Sequence, residues 1–498
     1  MIQNIKRGWG FARVLVALLS LGFHATQAQS SSPKPNVLFI VVDDMNKWSL
    51  QNDYPPLKVP NIKKLVSQSL YFKNASCAAP VCVPSRAAFF SGKYPHHSGV
   101  YRNGPDVWGV SELLPQVEAM PELFKRNGYT TWAGGKTFHV ALPGDREKNM
   151  WDNKVFHGNY GPFFTGRGHW NDIKPWEGPD KDFTDVVNAD AATVFLAQKH
   201  DKPFFMYYGL YRPHSPYTAP KRFYDLYEGV KFPLPPGYDA KDLEDVPASG
   251  KRLSAGMDMV TKSGKSQEEG FQDYLRAYCA NTSFADWNLG RVIDALDKSP
   301  YGKNTIVVFV SDNGFHNGTK NHWAKQTLWE QADAIPFLIR LPNGKAYTCP
   351  QTVNLVDIYP TLVEYCGLSV PKQKLDGQSL VAVFKNPKAK WERPGLTTYG
   401  EKYSSVRSER YRYIQYPDGA EELYDHDKDP YEHQNLAGKP EMKPVLASLR
   451  KNVPVQFQKS VPYKNEGMEE RREARQNPGA PAANGGAKKK AGNKKSRN

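Results

Sequence analysis

The sequence predicts an α/β fold with a mixed, mostly parallel central sheet, followed by a smaller α+β region that contains an antiparallel sheet. The segment NVLFIVVDDMN holds a continuous apolar run from Val37 to Val42, which is typical of a strand buried on both faces. Such runs alternate with segments whose apolar residues recur at intervals of three and four, as βαβ units require. From about Trp391 the chain changes to short Tyr-, Arg- and Ser-rich segments with a turn at PDG, which favours antiparallel strands.

The predicted strands of the central sheet end at polar residues. The first run stops at Asp43 and Asp44, and the run in NTIVVFVSDNG stops at Asp312 and Asn313. A third strand, in KPFFMYYGLYRPHSPY, ends at His214. Helical patterns such as PNIKKLVSQSL and FADWNLGRVIDALDKS lie between the strands. Because open α/β sheets bind ligands at the carboxyl ends of their strands, we expect these polar side chains to meet at one edge.

The two ends of the chain are predicted to lie outside the folded part. Residues 1–28 are predicted to be an export signal, since basic residues precede the apolar run VLVALLSLGF and small residues follow it. That run is shorter than the roughly 20 residues of a membrane helix, so we expect an exported, periplasmic or extracellular protein without a membrane span. Residues 466–498 are predicted to be a disordered basic tail. Between them we expect a large α/β domain over 33–385 and a smaller one over 386–465.

Charge and cysteine content restrict the class of protein. The formal net charge of +15 is concentrated partly in the tail, and it fits an anionic polymer better than nucleic acid, because the chain is predicted to be exported and has no recognition-helix motif. The five cysteines are an odd number, are spread widely and form no C-x-x-C pair. The cysteines therefore do not form the dense disulfide framework of a small secreted domain, the pattern does not indicate a zinc knuckle, and at least one thiol is left over even if two disulfides form.

The four polar residues that end two strands have the chemistry of a hard-cation site. Asp43, Asp44, Asp312 and Asn313 offer oxygen ligands without a paired-histidine or cysteine motif, which suits Ca²⁺ or Mg²⁺. Taken singly, either motif is more typical of a loop start or a helix cap. Their joint position after buried strands favours the metal.

Several cations and imidazoles supply what the transfer of an oxyanion group needs. Fixed cations would hold the anion, and imidazoles would act as base and acid. A single Lys or His is more often a surface or structural group, so these residues gain meaning only together. They are Arg86, Lys136, His139, His214 and Lys325.

The stretch CAAPVCVPSRAAFFSGKYPHHSGV raises the question of what Cys82 does. From composition alone it is a disulfide partner, a core residue, a metal ligand or a nucleophile. The run C-V-P-S-R-A-A-F-F-S-G from Cys82 resembles the type I sulfatase signature C-x-P-S-R-x-x-x-x-T/S-G. Four further segments follow in the order that this family uses: GYTTWAGGKTFH, GLYRPHSPY, VSDNG and IPFLIRLP. The segments most similar to its iduronate-2-sulfatase-like bacterial members are DDMN, GKTFH and HWAKQTLWE. The resemblance covers about Asn36 to Leu436.

This resemblance implies an alkaline-phosphatase-like fold and a modified nucleophile. In such enzymes the motif cysteine, here Cys82, is oxidised to formylglycine (3-oxoalanine) by a formylglycine-generating enzyme. The hydrated aldehyde has two hydroxyls on one carbon, so one can attack sulfur and the other can then expel sulfate. Pro84 and Arg86 belong to the pattern that the maturation enzyme recognises, and Arg86 is expected to steady the modified side chain.

The resemblance also implies roles for the other candidate residues. Asp43, Asp44, Asp312 and Asn313 resemble the Ca²⁺ ligands, with the modified Cys82 facing the same ion. The remaining roles are sulfate binding by Lys136 and Lys325, protonation of the departing alcohol by His214, release of sulfate by His139, and substrate contact by Arg212 and His322. Cys77 is expected to be buried.

The substrate class follows from the same resemblance. We expect a sulfated saccharide, a fragment of a glycosaminoglycan or of another polysaccharide, and a 2-O-sulfated uronate is one such substrate. Four aromatic residues in the loops are expected either to stack on sugar rings or to pack in the loops: Tyr101, Trp108, Trp151 and Trp170. The alternatives are a phosphomonoester or phosphonate hydrolase of the same superfamily, which would have a Thr or Ser nucleophile and a second metal, and a non-catalytic polyanion-binding protein.

Overall fold

The computed structural model describes residues 34–462, except 51–53, 55, 140–141, 156–159, 164–171, 255, 262–264 and 343. The predicted export signal, 1–28, and the predicted tail, 466–498, lie outside the described residues, and the proposed domain limits stay a prediction. Within the described part of the chain, no helix combines the length and apolar character needed to cross a bilayer.

Fourteen strands are present among the described residues. In chain order they are β1 (Asn36–Asp43), β2 (Leu70–Ser76), β3 (Thr130–Gly135), β4 (Asn153–Lys154), β5 (Pro175–Trp176), β6 (Phe204–Pro213), β7 (Ala219–Pro220), β8 (Thr305–Ser311), β9 (Phe337–Arg340), β10 (Tyr347–Asn354), β11 (Gly395–Thr398), β12 (Ser404–Arg407), β13 (Tyr411–Gln415) and β14 (Glu421–Asp425).

The described residues also form fifteen α-helices. They are α1 (Pro60–Val66), α2 (Cys82–Ser91), α3 (Pro95–Ser98), α4 (Val107–Val110), α5 (Met120–Arg126), α6 (Arg146–Met150), α7 (Thr184–Ala197), α8 (Lys221–Asp225), α9 (Ala248–Lys251), α10 (Asp258–Thr261), α11 (Gln267–Lys298), α12 (Glu330–Asp333), α13 (Ile358–Tyr365), α14 (Val381–Lys385) and α15 (Lys443–Arg450). The long helix α11 begins at a capping box, in which Ser266 and Glu269 satisfy each other's backbone N–H groups.

The central sheet confirms the predicted fold class. Its eight strands lie in the order β10-β2-β9-β8-β1-β6-β3-β4. Only β9 runs antiparallel to its neighbours β2 and β8, and the other pairings are parallel. The sheet is therefore mixed and mostly parallel.

The alternating side chains of β1 explain why helices cover both faces of this sheet. Leu38, Ile40 and Val42 belong to a core that also contains buried residues of α1, α7 and α11. Val37, Phe39 and Val41, which the same strand directs to the opposite face, pack in a second core with residues of α2, α5 and α13. Every residue of β1 is buried, so the continuous apolar run is what a strand between two helical layers needs.

The smaller sheet confirms the predicted antiparallel region. Strands β11, β12, β13 and β14 pair in chain order, each antiparallel to the next. The PDG turn joins β13 to β14, and one face of the sheet packs against α15 through Leu446 and Leu449. The sequence reading of this part was correct because period-two patterns and a turn signal occur together.

A buried ionic network connects the small sheet to α12. Arg412 of β13 lies with Nη1 2.7 Å from Asp333 Oδ2 and Nε 2.7 Å from Glu432 Oε1, and it also pairs with Glu330. The Arg412 side chain is fully buried. Burial raises the pKa of Asp333 to about 7, although Arg412 opposes this shift.

We predict that Arg412→Leu lowers the free energy of unfolding by about 3–5 kcal/mol, because removal of one partner leaves buried carboxylates uncompensated. Arg410→Leu is the matched control: Arg410 precedes β13, its pair with Asp425 is half exposed, and surface pairs contribute about 0–1 kcal/mol. Urea unfolding of both variants measures the difference. Equal losses would contradict the role assigned to the network.

Candidate active site

Four strands deliver polar residues to one edge of the central sheet. Val42 of β1 is aligned with Ser311 of β8, and Asp43 with Pro213 of β6. The residues that follow these strand ends are the predicted Asp44, Asp312, Asn313 and His214. Strand β3 ends in the same register, with Gly135 aligned to Gly209, so the next residue, Lys136, joins the same edge.

Two glycines allow Lys136 to approach this edge closely. Gly135 has φ +79°, and a Cβ added there would lie 1.8 Å from the carbonyl oxygen of Gly209. A Cβ on Gly209 would lie 2.1 Å from the carbonyl oxygen of Lys136. The Lys136 N–H donates to that Gly209 carbonyl at 3.2 Å. Only glycine fits both positions, which explains the glycine directly before Lys136 in the AGGK motif.

Cys82 is the first residue of α2 and is buried in the centre of the site. Its Sγ lies 3.3 Å from Asp43 Oδ1 and 2.9 Å from Lys325 Nζ. The next backbone N–H, that of Val83, donates to Asn103 Oδ1 at 2.9 Å. Burial raises the pKa of the Cys82 thiol, and the charge of Asp43 adds to this effect, while Lys136 and Lys325 oppose it. An unmodified thiol here is therefore protonated and weakly nucleophilic at neutral pH.

The two lysines each pair with a carboxylate beside Cys82. Lys136 Nζ lies 2.5 Å from Asp43 Oδ2, and Lys325 Nζ lies 2.5 Å from Asp44 Oδ1. Burial acts to raise the pKa of Asp43, but the positive groups around it, Lys136 foremost, hold the pKa well below its usual range. Burial raises the pKa of Asp44, and Lys325 offsets this only in part.

The predicted oxygen ligands fit a divalent cation. Burial raises the pKa of Asp312, and the neighbouring charge of Asp43 raises it further, so the crowded carboxylates repel one another. Asn313 donates its side-chain N–H to Asp44 Oδ1 at 2.8 Å, while its buried Oδ1 has no hydrogen-bond partner. Asp43, Asp44, Cys82 and His214 offer ligand atoms within 4.8 Å of one another. A hard cation would relieve the repulsion and satisfy the unpaired amide oxygen.

Arg86 is fully buried, and its guanidinium group connects several residues of the site. Its Nε lies 2.9 Å from Asp312 Oδ2, and its Nη1 donates to the carbonyls of Lys136 and Thr137 and to the Tyr207 hydroxyl. The remaining nitrogen, Nη2, is buried without a hydrogen-bond partner.

The two predicted histidines lie on either side of Tyr160. The Tyr160 ring is 4.5 Å from the His214 ring, centroid to centroid, and its hydroxyl is 3.3 Å from His139 Nδ1. Lys136 Nζ lies over the same ring, 5.1 Å from its centroid. His139 itself is exposed. The Tyr160 side chain therefore contacts three predicted site residues, although its sequence context, GNYGP, carries no motif that singles it out.

His214 is oriented by its own backbone. Its Nδ1 lies 2.6 Å from the carbonyl oxygen of Ser215, which can only accept, so Nδ1 carries the proton. Its Nε2 then faces Asp44 Oδ2 at 3.6 Å. Burial lowers the pKa of His214 to about 3, and the charge of Asp43 opposes this shift. The ring is therefore neutral at pH 7 in this arrangement.

Arg212 and His322 are buried, and their side chains bind backbone groups. The Arg212 guanidinium donates to the carbonyls of Thr218, at 2.9 Å, and Tyr160, at 2.6 Å. His322 Nε2 lies 2.8 Å from the carbonyl oxygen of Lys325. Both residues thus hold site loops, and their contact with substrate stays a prediction.

Three of the four loop aromatics pack inside the protein. Tyr101, Trp108 and Trp151 are each at most 4% exposed, which agrees with the packing alternative, and Trp170 lies outside the described residues. Cys77 is buried as expected, and none of the five cysteines forms a disulfide. Besides Tyr160, the sequence reading missed Asp185, which accepts the N–H groups of Tyr211 and Arg212.

Comparisons with known proteins agree with this geometry. The family model described as "Sulfatase" matches residues 35–368, and the model described as "N-sulphoglucosamine sulphohydrolase, C-terminal" matches residues 318–459. A protein named "Sulfatase" from Formosa agariphila is 34% identical, over 86% of this chain and 88% of its own. Human "Iduronate 2-sulfatase" is 27% identical, over 70% of this chain and 71% of its own. A phosphonate monoester hydrolase from Silicibacter pomeroyi shares the fold, with a TM-score of 0.72, 20% identity and coverage of 84% and 94%.

Proposed function

The chain belongs to the sulfatase family, the sulfuric ester hydrolases, and we propose that it removes sulfate from a sulfated saccharide through a formylglycine made from Cys82. The observation that carries this proposal is the position of Cys82. It lies at the start of α2, in contact with Asp43 and Lys325, where a nucleophile would face both a metal and a sulfate-binding cation.

The nucleophile would be a hydroxyl of the hydrated formylglycine, which a formylglycine-generating enzyme must introduce. Arg86 Nη2, a buried donor without a partner, is available to bind this larger group. Asp43, Asp44, Asp312 and Asn313 would hold Ca²⁺. When bound, the ion supplies Lewis-acid polarisation of the sulfate oxygens and favours the ionised nucleophile.

The cations of the chain would hold the sulfate group. Lys136 pairs with Asp43 and Lys325 pairs with Asp44, and Lys325 Nζ also lies 2.9 Å from Cys82 Sγ. Their charge would be effective because the site is buried and excludes much of the water. The sulfate oxygens would therefore be bound by two ammonium groups.

His214 is the group that we assign to the departing alcohol. Its Nδ1 proton is committed to the Ser215 carbonyl, so a proton exchanged with substrate must pass through Nε2. Because burial keeps the ring neutral, the negative charge of bound sulfate would have to raise its pKa before it could donate. We assign the later release of sulfate to His139, with Tyr160 orienting its ring.

We predict that Lys325→Met lowers kcat/KM by about 10²–10³-fold, because one fixed positive charge is lost from the transition state. Lys199→Met is the matched control, since that lysine is 91% exposed and pairs only with Asp201 in the contacts observed. Initial rates of sulfate release measure both variants. A loss of less than threefold in Lys325→Met would contradict the assignment.

The experiment that tests the function is a panel of sulfate esters assayed by ion chromatography of released sulfate. The panel contains 2-O-sulfated uronate disaccharides, sulfated algal oligosaccharides and 4-nitrophenyl sulfate. We expect release from a saccharide and, given the similarity to iduronate 2-sulfatase, we place the 2-O-sulfated uronate first. Absence of release from every ester by protein with converted Cys82 would overturn the proposal.

A second candidate function is supported by the fold shared with a phosphonate monoester hydrolase. The same panel therefore includes a phosphonate monoester and a phosphate monoester. Faster turnover of either than of any sulfate ester would favour this alternative. A chain that binds sulfated polymers without turnover would instead be a polyanion-binding protein.

A further inference from the structure

Lys320 is a buried cation that the proposed chemistry does not use. Its side chain is 2% exposed, and its Nζ lies 2.7 Å from Asp242 Oδ1. Asp242 Oδ2 also accepts the Lys320 backbone N–H, at 3.3 Å. The ammonium group lies over the rings of Tyr424 and Trp329, 5.1 and 5.7 Å from their centroids. A lysine desolvated to this degree needs its partners.

These contacts join three separate parts of the chain. Asp242 belongs to the polar segment 228–270, which we call the excursion. Tyr424 belongs to β14 of the small sheet, and the carbonyl of Glu432, which follows that strand, accepts from the Lys320 ammonium group. Ser254, from the same excursion as Asp242, donates to the carbonyls of Lys320 and Asn321. Lys320 thus connects the excursion and the small sheet to the segment 314–329.

The segment 314–329 carries His322 and Lys325 and has a strained backbone. Lys320, Asn321 and Gln326 have φ of +53°, +46° and +75°. These values lie in the left-handed region, which residues other than glycine rarely adopt. Such conformations persist only where the surroundings hold them, and they occur preferentially at functional sites. The contacts of the Lys320 side chain and backbone, described above, hold Lys320 and Asn321 in this conformation.

Short contacts connect Lys320 to the ammonium group at the nucleophile. The Gly318 N–H donates to the His322 carbonyl at 2.9 Å and closes the turn that contains Lys320. The ring of His322 then binds the carbonyl of Lys325 at 2.8 Å, and Lys325 Nζ lies 2.9 Å from Cys82 Sγ. Displacement of the turn would therefore move the His322 ring and, through it, the backbone of Lys325.

We propose that the buried pair Lys320–Asp242 positions Lys325 at the nucleophile. Lys320 is in this view a positioning residue, and the excursion that supplies Asp242 is a structural part of the active site. The inference rests on the proposed function of Lys325 for its effect on turnover. Its effect on the segment 314–329 does not depend on that function.

The test compares Lys320→Met, the double variant Lys320→Met/Asp242→Leu and the control Lys251→Met, an exposed lysine of the same excursion. Each is assayed for kcat and KM on the best saccharide of the panel, for thermal stability, and for hydrogen exchange of the peptide 314–328. We expect Lys320→Met to lower kcat by about 10–100-fold, since a displacement near 1 Å has that effect on a catalytic group, and to speed exchange in the peptide. The control should resemble wild type.

The double variant separates positioning from stability. Replacing both buried charges by apolar side chains is often neutral for stability, so we expect its Tm to recover while kcat stays low. Recovery of kcat together with Tm, or a kcat of Lys320→Met within twofold of wild type, would overturn the proposal. If Lys320→Met does not fold, Asp242→Asn takes its place.

Failure of the proposed function would be distinguishable. If wild-type protein releases no sulfate from any ester, hydrogen exchange alone decides. Faster exchange of 314–328 in Lys320→Met, with the control unchanged, supports the positioning role, and equal exchange contradicts it.

Discussion

Cys82→Ala is expected to abolish sulfate release, with kcat falling by about 10⁴-fold or more. The expected loss is this large because the nucleophile itself is removed, while Asp43, Lys136 and Lys325 can still bind the anion. Cys82→Ser should be equally inactive in steady-state turnover, since a serine hydroxyl that attacked sulfur would leave a sulfate ester with no second hydroxyl to expel it. Sulfate release under multiple turnover measures both variants.

Cys279→Ala is the matched control for this experiment. Cys279 is as buried as Cys82 but lies on α11 in the opposite core, so its loss removes a buried thiol without touching the site. We expect wild-type kcat with a modest loss of stability. Turnover by Cys82→Ala within tenfold of wild type would show that another group attacks sulfur.

Asp43→Asn is expected to remove a Ca²⁺-dependent stabilisation of the fold and to lower kcat/KM by about 10²–10³-fold. Asp43 is fully buried and contacts both Cys82 and Lys136, so its charge is central to the cation site. Ca²⁺ that binds only the folded protein should stabilise wild type by about 2.7 kcal/mol at a hundredfold excess over its Kd. Thermal unfolding after chelation and across a Ca²⁺ titration measures this effect.

The control for the metal experiment is Asp294→Asn, which changes a half-exposed carboxylate on α11. Its Ca²⁺ response should equal that of wild type. An unchanged response in Asp43→Asn would place the ion elsewhere. A larger stabilisation by Mg²⁺ than by Ca²⁺ would instead correct the identity of the ion while leaving the ligands in place.

The edge of the central sheet could be predicted from the sequence because each contribution to it is local. The apolar run before Asp43 and that before Asp312 each define a strand and its carboxyl end, and parallel pairing then brings both ends together. Lys136 directly follows β3 and joins this edge because Gly135 of β3 and Gly209 of β6 let the two backbones approach closely. The fold class could be predicted because these signals are local, and the strand order of the central sheet confirms it.

The contacts that complete the site could not be predicted in this way. Lys320 and Asp242 are 78 residues apart, and neither lies in a periodic or motif-bearing segment, so their pairing depends on how a loop packs. Tyr160 is similar, since its contacts with His139, His214 and Lys136 arise from a loop that follows β4. Pairings of this kind depend on tertiary packing, which propensity and patterning do not specify.

Tertiary packing also decides whether the loop aromatics stack on sugar rings or pack inside the protein, so the local sequence could not predict it. Trp108 lies in the short helix α4 and Trp151 directly follows α6; in such polar segments an exposed sugar-binding residue and a buried anchor have the same local sequence. The structure buries Trp108 against Phe138 and Trp151 against Phe205. Large aromatic rings supply much of the apolar area that anchors such segments to the core. Neither ring is therefore exposed for stacking on a sugar.

The measurement that tests the central proposal most directly is mass analysis of the tryptic peptide from Asn74 to Arg86, on protein produced with a formylglycine-generating enzyme. We predict that the thiol mass of Cys82 is replaced by that of an aldehyde or its hydrate, and that sulfate release scales with the converted fraction. An intact thiol, in a preparation where a control sulfatase is fully converted, would contradict the account.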